Sequence, residues 1–364
     1  MKILLLWDYY VSYINMFYRD NEIAKLPYST QLDFFKEDYF LWYAYLIPYL
    51  EQMGHTVHLI IGNALPLQKA WANENDSTYE RFTTIKEQIK NISPDILWVC
   101  GSAHYLGPFL KEIKDYCKKI ITWVASSDGL SVDLTNVDCV LSSHDNFIDY
   151  FKQNGMLVKK MLPCFEPNIV KKINSKSVPI PIPVSFTGSL TANYFINRID
   201  LVYYLSTRVP IQFWVDKPRF FKRPLPIINF LYQLKLQSLF KKIDAKPAVF
   251  GKDMFAILQS SLISLNIHGD AAMGLAGNIR MFEATGVGSL LMTENSPNLK
   301  SLFEPDYEVA TYNSKSEAKE KINFYLTNSF EREAVAKKGQ ERTFQDHNPK
   351  TRANEFIEIV KSLI

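Results

Sequence analysis

Leu265-Asn266-Ile267-His268-Gly269-Asp270 and, after a short loop, Gly277-Asn278-Ile279-Arg280-Met281-Phe282-Glu283-Ala284-Thr285-Gly286 form the most informative stretch of the chain. The apolar run that ends at Asn266 predicts a strand, the glycines after it predict a loop, and Asn278 is a favourable residue at the start of a helix. The first turn of a helix offers unpaired N–H groups and a partial positive charge, which suit a pyrophosphate. The stretch therefore indicates a binding site for a diphosphate group.

Arg280 and Glu283 lie on one face of this predicted helix, three residues apart. The guanidinium of Arg280 matches the geometry of phosphate oxygens. The carboxylate of Glu283 can accept hydrogen bonds from both hydroxyls of a ribose. The helix would thus contact phosphate first and ribose second. The alternative is an ordinary Arg280–Glu283 ion pair on the surface of a helix that packs on the core.

The alternation of strands and helices extends outward from this stretch over the whole chain. In the C-terminal half, strands are predicted over residues 184–187, 211–215, 262–266 and 289–293, and helices over 197–206, 253–260, 277–285, from 316 onward and over 351–364. In the N-terminal half, strands are predicted over 2–7, 56–61, 95–100, 119–124 and 139–142, and helices over 38–53, 79–92, 109–117 and 146–154. Each half is therefore predicted to be an α/β, doubly wound parallel sheet with helices on both faces.

A proline-rich stretch divides the two halves. Pro179, Pro181 and Pro183 stand at alternate positions, which disfavours a central strand and favours an extended linker. The sequence predicts an N-terminal domain over 1–175, a C-terminal domain over 184–348, and a terminal helix over 349–364 that packs back on the N-terminal domain. Ligands of such sheets bind beyond the carboxyl ends of the strands, so we expect a cleft there.

The stretch from Asn278 to Gly288, with Leu290-Leu291-Met292-Thr293 after it, resembles the nucleotide-sugar helix of group 1 glycosyltransferases. It is especially similar to the CgeB-like (spore maturation) branch of that group. Val184-Ser-Phe-Thr-Gly188-Ser189, with Arg198, resembles the start of the C-terminal domain of GT-B enzymes. The resemblance implies a GT-B fold, in which two Rossmann-like domains face a central cleft, and a glycosyltransferase activity.

The resemblance also implies a donor site in the C-terminal domain. Glu283 would hold the ribose, while Arg280, Asn278 and the Gly188-Ser189 turn would surround the diphosphate of a nucleotide-sugar. The predicted site further includes Arg198, Asn266 and His268. For His268 the alternatives are a hydrogen bond to a phosphate or to the sugar, and a structural role in the loop. The stereochemistry of the transfer and the base of the nucleotide stay open.

A catalytic base for an inverting enzyme would come from the N-terminal domain, where the acceptor lies. Such a base needs a tunable proton affinity and a position at a strand end. Asp8, His104 and Asp128 meet these conditions, and each could instead be a turn or cap residue. Asp128 is the first choice, because Ser126-Ser127-Asp128-Gly129 predicts a sharp, exposed loop.

Several other classes of protein are disfavoured. A net charge of +3, without a recognisable binding motif, argues against nucleic acid as a partner. The chain has no P-loop motif and no Gly-x-Gly-x-x-Gly after the first strand. Its four cysteines form no CxxC pair, which predicts buried free thiols. The Asp-x-Asp metal motif of the other glycosyltransferase fold is absent too, so we expect no metal and no cofactor beyond the nucleotide-sugar itself.

Residues 217–247 combine many lysines and arginines with apolar and aromatic residues. Such a segment could lie on an anionic membrane, or it could be a helical part of the second domain with solvated lysines. We find neither a signal peptide nor a membrane span, which predicts a protein that is cytoplasmic or lies at the inner face of the membrane.

The acceptor expected from the resemblance is a glycan, lipid-linked or protein acceptor in the synthesis of bacterial surface polysaccharide or lipopolysaccharide. Two alternatives are a non-catalytic sugar-nucleotide-binding or scaffold protein and a GT-B-type sugar-nucleotide epimerase.

Overall fold

The computed structural model describes residues 1–100, 103–173, 181–190, 196–215 and 227–364. The chain divides into two compact units. The N-terminal unit comprises Met1–Leu162 and Pro349–Ile364, and the C-terminal unit comprises Pro163–Asn348.

Among the described residues of the N-terminal unit, six parallel strands form a sheet in the order β2-β1-β3-β4-β5-β6. The strands are β1 (Lys2–Trp7), β2 (Thr56–Ile61), β3 (Ile96–Cys100), β4 (Lys119–Trp123), β5 (Cys139–Ser142) and β6 (Val158–Lys160). The helices are α1 (Val11–Phe17), α2 (Tyr28–Glu37), α3 (Ile47–Gln52), α4 (Leu65–Glu74), α5 (Arg81–Ile92), α6 (Pro108–Ile113), α7 (Asp145–Gln153) and, at the end of the chain, α15 (Pro349–Lys361).

Both faces of this sheet are covered, which explains why its central strands read as unbroken apolar runs. On one face, Leu4 and Leu6 of β1 belong to the same buried cluster as Ile85 and Ile89 of α5. On the other face, the ring of Trp98 in β3 stacks on Phe356 of α15, with ring centroids 4.9 Å apart. The last helix therefore completes the core of the N-terminal unit.

Among the described residues of the C-terminal unit, six further parallel strands form a sheet in the order β12-β11-β10-β7-β8-β9. The strands are β7 (Ile182–Gly188), β8 (Ile211–Val215), β9 (Ala245–Lys246), β10 (Ser261–Leu265), β11 (Leu290–Glu294) and β12 (Ala310–Tyr312). The helices are α8 (Ile169–Lys172), α9 (Ile196–Leu205), α10 (Ile227–Lys242), α11 (Gly251–Gln259), α12 (Ile279–Gly286), α13 (Lys315–Thr327) and α14 (Ser329–Asp346). The predicted architecture of two doubly wound parallel sheets is confirmed.

The helix predicted over 38–53 is wrong in its first half. A short 3₁₀ turn occupies Trp42–Leu46, and α3 begins only at Ile47. Tyr39 has a φ of 56°, a left-handed conformation that an α-helix does not continue through. Pro48 then lies in the first turn of α3, where proline needs no hydrogen-bond acceptor for a backbone N–H. Helices α1, α2 and α4 were not predicted.

The boundary between the units lies earlier than the predicted residue 175. Residues 163–173 belong to the C-terminal unit because Phe165 packs there against Gly286, where an added Cβ would overlap its ring. The backbone N–H of Phe165 also donates to the carbonyl oxygen of His347, at 2.9 Å. Pro183, assigned to the linker, lies inside the central strand β7. It is tolerated because the pairing of β7 with β8 begins at Val184, after the proline.

The structure also bears on the cysteines and on membrane spans. All four cysteines are free and buried, as predicted. Within the described ranges, no helix has the length and apolarity needed to cross a membrane.

Candidate active site

The sheet of the C-terminal unit has its switch point between β7 and β10, where successive strands are added on opposite sides. Ligands of doubly wound sheets bind beyond the carboxyl ends of strands at such a point. Gly188 and Ser189 lie at the end of β7, and Asn266, Ile267 and His268 follow β10. The fold therefore brings two separate parts of the predicted donor site to one edge of one sheet.

Asn266, His268, Asn278 and Thr293 form a connected polar network at this edge. The Asn278 Nδ2 donates to Asn266 Oδ1 at 2.7 Å, and Asn266 Nδ2 donates to Thr293 Oγ1 at 3.0 Å. The His268 Nδ1 lies 3.0 Å from Asn278 Oδ1, and its Nε2 lies 3.3 Å from Thr293 Oγ1. Because an amide oxygen can only accept, the ring proton belongs on Nδ1 and the Thr293 hydroxyl donates to Nε2.

This network bears on the predicted roles of His268 and Asn278. Both ring nitrogens of His268 are engaged within the protein, so in this arrangement the ring orients neighbouring side chains and offers no N–H to a phosphate. Asn278 stands at the N-cap position of α12, but its side chain makes no capping hydrogen bond. The side chain that was expected to cap the helix is committed to Asn266 and His268 instead. The first turn of α12 is thus left without a side-chain cap.

Arg280 and Glu283 form an ion pair of 2.6 Å between Nη1 and Oε2. Glu283 is only 2% exposed, so the alternative of a surface ion pair is wrong. The same Nη1 lies 2.8 Å from the sulfur of Met254 in α11, while the buried Nε of Arg280 has no hydrogen-bond partner in the protein. Burial raises the pKa of Glu283, and the charge of Arg280 opposes that rise.

Arg198 lies in α9, and its guanidinium bridges the two loops of the switch point. Its Nη1 donates to the carbonyl oxygen of Ser189 at 3.0 Å, and its Nη2 donates to that of Ile267 at 2.8 Å. Burial lowers the pKa of Arg198 to about 10, and Glu294 opposes the shift. Arg198 therefore holds two loops of the predicted donor site in place.

Glu294 is a residue of this edge that the sequence analysis did not include. Its Oε2 accepts a hydrogen bond from the backbone N–H of His268 at 2.8 Å, and burial raises its pKa. The available signal was its position at the last residue of β11, where a strand of this sheet meets the ligand edge. Thr293, its neighbour, completes the network described above.

In the N-terminal unit, Asp8 follows β1 at the corresponding switch point between β1 and β3. Its Oδ2 accepts from Arg81 Nη2 at 2.6 Å, and its Oδ1 accepts from the hydroxyl of Tyr105 at 2.6 Å. Burial and the charge of Asp8 raise the pKa of Tyr105, which keeps this hydroxyl protonated and donating. An added Cβ at Gly62 would overlap the Tyr105 hydroxyl, so a side chain at this position would displace the tyrosine from Asp8.

These contacts decide between the roles open to Asp8. Both of its carboxylate oxygens are occupied by charged or hydroxyl donors, so the residue is an ion-pair partner rather than an available base. Arg81 is brought to it by α5, which begins at this residue because the Glu80 side chain accepts from the backbone N–H of Thr83 at 2.8 Å. Arg81 and Tyr105 were not predicted.

Asp128 and His104 are both exposed but differ in their surroundings. Asp128 lies in a 3₁₀ turn, Ser127–Ser131, after β4, and lines a cavity of about 470 Å³. His104 lies in the turn Ala103–Tyr105, beside the ring of Phe82, and does not line this cavity. A larger cavity of about 590 Å³ lies between residues 24–27 and 65–74, and none of the predicted base residues lines it.

In the part of the chain that the structure describes, no group of three or more His, Cys, Asp or Glu side chains is arranged to hold a metal ion.

The basic segment 217–247 is described only from residue 227 onward. In that part, Leu236 and Leu239 of α10 are buried in the core of the C-terminal unit. Lys235 and Lys315 pair with Asp200, and Lys246 Nζ donates to Gln212 Oε1 at 2.7 Å. Leu231 and Leu234 remain exposed. Residues 227–242 are therefore helical and contribute to the core of the C-terminal unit, and residues 217–226 lie outside the described residues.

Comparisons with known proteins agree with this geometry. Residues 214–358, which include α12, match the model of a family described as glycosyl transferase-like. A comparison with curated proteins finds no match.

Solved structures resemble the chain over its whole length. The Anabaena protein Alr3699/HepE in complex with UDP-glucose has a TM-score of 0.63 at 14% identity, covering 100% of both chains. Sucrose-phosphate synthase from Thermosynechococcus elongatus has a TM-score of 0.59 at 11% identity, covering 100% of this chain and 99% of its own. A glycosyltransferase from Rickettsia africae has a TM-score of 0.59 at 12% identity, covering 100% and 98%.

The two parallel sheets and these similarities define the GT-B fold. The chain is an enzyme of the glycosyltransferase class. Residues 214–348 of the family match belong to the unit that carries the Arg280–Glu283 pair, and residues 349–358 belong to the N-terminal unit.

Proposed function

We propose that the protein transfers a sugar from a nucleotide-diphosphate sugar to a hydroxyl acceptor, with the donor bound at the carboxyl ends of β7 and β10. The observation that carries this proposal is the buried Arg280–Glu283 pair in the first turns of an uncapped helix. A buried carboxylate can accept from the ribose hydroxyls. The unsatisfied Nε of Arg280 and the backbone N–H groups of α12 supply donors for phosphate oxygens.

We infer that the donor is a UDP-sugar. Alr3699/HepE, which has the same fold, was solved in complex with UDP-glucose. Other predicted donor-site residues hold the site in place through contacts within the protein. Arg198 hydrogen-bonds to the loops after β7 and β10, and Asn266, His268 and Asn278 hold the chain at the start of α12. Such prior ordering keeps binding groups in place before the ligand arrives.

We propose Asp128 as the base that removes the proton of the acceptor hydroxyl. It lies at a strand end of the N-terminal unit, lines a cavity, and is exposed, whereas Asp8 is held by Arg81 and Tyr105. His104 stays a second candidate for this role. Independence of metal stays a prediction, which activity in the presence of a chelator would test.

The finer assignments from the sequence belong to this proposal as well. They are membership in the CgeB-like branch, and a glycan, lipid-linked or protein acceptor in bacterial surface polysaccharide or lipopolysaccharide synthesis. A cytoplasmic location and contact of residues 217–247 with an anionic membrane complete it. The exposed Leu231 and Leu234 support the membrane contact, and sedimentation with anionic against neutral vesicles would test it.

The proposed donor site can be tested by thermal shift with UDP, GDP, CMP and dTDP. A ligand that binds only the folded state raises the unfolding temperature. We expect a shift with UDP that is lost in Glu283→Ala and reduced in Glu283→Gln, which keeps the side-chain shape. Glu341→Ala is the matched control, because Glu341 forms an i,i+3 ion pair with Lys338 that is exposed. A folded protein that shifts with none of the four nucleotides would overturn the donor site.

A separate assay distinguishes transfer from the epimerase alternative. Incubation with the sugar-nucleotide alone, followed by separation of the products, should leave the sugar unchanged apart from slow hydrolysis. Conversion into a second sugar-nucleotide without any acceptor would favour the epimerase. Binding of the nucleotide without turnover, across a broad acceptor panel, would favour the scaffold alternative.

A further inference from the structure

The cavity that Asp128 lines lies beyond the carboxyl ends of β3 and β4 in the N-terminal unit. Its volume of about 470 Å³ is within the range of small-molecule sites. All of its lining residues belong to one unit, so its chemistry can be judged from this unit alone. We call it the Asp128 cavity.

The Asp128 cavity is lined mostly by uncharged side chains. Among the described residues that line it, none is Lys, Arg or His, and Asp128 is the sole carboxylate. Arg81, which lies on α5, does not line the cavity, and its charge is paired with Asp8. A phosphate or carboxylate bound here would lose water without gaining a cation, and it would face the negative charge of Asp128.

The walls of the cavity combine aliphatic residues with two aromatic rings and small polar side chains. Tyr10 is 63% exposed and its ring meets Phe40 edge-on, while the ring of Trp123 is half-buried against Trp42. Ser126 and Asp128 add a hydroxyl and a carboxylate on the same cavity. Aromatic rings with a polar end suit ligands that are apolar on one side and polar on another. A pyranose has this character, with C–H groups on its faces and hydroxyls around its edge.

The site in the C-terminal unit has the opposite character. Its two arginines, Arg280 and Arg198, are accompanied by Glu283 and Glu294, but the unpartnered Nε of Arg280 and the uncapped helix start still offer donors to an anion. The two units therefore differ in the charge of the ligand that each accommodates. One is suited to a diphosphate, and the other to an uncharged, hydroxyl-bearing ring.

We propose that the Asp128 cavity binds a neutral pyranoside as acceptor, and that it rejects acceptors whose reacting sugar carries a phosphate or a carboxylate. This rests on the proposed function, since the nucleotide-sugar must supply the glycosyl group. In the reaction, the acceptor hydroxyl oxygen forms a bond to the anomeric carbon of the donor sugar. The bond from that carbon to the diphosphate breaks, the nucleoside diphosphate leaves with the electron pair, and Asp128 takes the hydroxyl proton.

The test measures binding of sugars to the full chain in the absence of nucleotide, by saturation-transfer NMR. The probes are methyl hexopyranosides, their 6-phosphates and the corresponding methyl uronosides, so that each charged probe has a neutral partner. We expect at least one neutral pyranoside to bind at least about tenfold more tightly than its charged partners, which corresponds to the loss of roughly 1.4 kcal/mol. Equal or tighter binding of the phosphates or uronosides would overturn the proposal, as would no binding of any neutral probe.

Two variants locate the binding in the cavity. Tyr10→Ala should weaken neutral binding by about tenfold, the size expected for one aromatic contact. Tyr116→Ala is the control, because Tyr116 is exposed in the same unit and lies away from the cavity. Ser126→Arg places a cation in the cavity and should admit the phosphorylated probes. Unchanged neutral binding in Tyr10→Ala would show that the sugar lies elsewhere.

The outcome is independent of the donor site. If no nucleotide raises the unfolding temperature but neutral sugars still bind, the proposed donor site alone is refuted. Nucleotide shifts that depend on Glu283, together with a preference for charged sugars, would refute the neutral acceptor alone.

Discussion

The two candidate sites differ in how their polar side chains are held. In the C-terminal unit, Asn266, His268 and Asn278 hydrogen-bond to one another, and Arg280 is paired with a buried Glu283. In the N-terminal unit, Asp128 lies in a short 3₁₀ turn, where its exposed carboxylate lines a cavity. A dense network fixes geometry before a ligand binds, whereas an open cavity leaves contacts to be made by the ligand.

This difference suits a transferase that binds two kinds of substrate. The nucleotide part of a donor has a constant shape, and a rigid site recognises it at low entropic cost. The lesson from the N-terminal unit is that polar residues at strand ends are not equivalent. Asp8 accepts hydrogen bonds from Arg81 and Tyr105 and stabilises the fold, while Asp128 remains available for chemistry.

The largest expected effect separates these two aspartates. Asp128→Asn removes the proposed base and should lower kcat by about 100- to 10,000-fold, the usual contribution of general base catalysis. Nucleotide binding should be unchanged, because that site lies in the C-terminal unit. Asp8→Asn should instead lower the free energy of unfolding by about 1–2 kcal/mol, because Arg81 loses a partly buried charged partner. Steady-state kinetics and chemical denaturation measure the two effects.

The assignment of catalysis to Asp128 and stability to Asp8 is wrong if the two substitutions have the opposite effects. Loss of activity at full stability in Asp8→Asn, with normal turnover in Asp128→Asn, would assign the base to Asp8. If both variants transfer sugar normally, His104→Ala becomes the decisive variant.

A second prediction concerns pH and sharpens the contrast between the units. His144, after β5, is buried, and burial lowers its pKa to about 4. The folded state therefore keeps this ring neutral, while the unfolded chain takes up a proton as the pH falls below about 6.5. The resulting stability is fully present above pH 6.5 and is lost as the pH falls toward 4, with a total of about 3 kcal/mol.

Tryptophan fluorescence can follow this effect in the N-terminal unit, because every tryptophan except Trp214 lies there. His144→Leu should reduce the difference in unfolding free energy between pH 7 and pH 5. His104→Leu makes the same substitution at an exposed histidine of the same unit and is the control. Equal pH dependence in the wild type and in His144→Leu would contradict the assignment.

The smallest expected effect compares two residues at helix starts. Asn278→Ala removes the acceptor that faces His268 Nδ1 and the donor to Asn266 Oδ1, and it should cost about 2 kcal/mol. Ser314→Ala removes a side-chain cap, at 3.2 Å from the N–H of Glu317, and should cost about 1 kcal/mol. Hydrogen exchange in β10 and β11 measures both. A smaller cost for Asn278→Ala would mean that the network is not a source of stability.

Much of the architecture was predictable from local sequence. Central parallel strands such as Lys2–Trp7 and Thr56–Ile61 are apolar throughout because both faces of the sheet are covered. Short strands such as Ala310–Tyr312 were missed, since three residues carry little periodicity. The strand, loop and helix around Asn278 were predictable because all their signals lie within one contiguous stretch of sequence.

The sequence by itself determined the two parallel sheets and the place of the Arg280–Glu283 pair. Side chains three residues apart on a helix are neighbours, so this pair needed no information from the rest of the fold. Only the tertiary structure decided the roles of Asp8, Arg198 and His268. The partners of Asp8 are 73 and 97 residues away, and a carbonyl that Arg198 holds is 69 residues away. Whether a polar side chain is engaged or available depends on such distant partners, which no local pattern encodes.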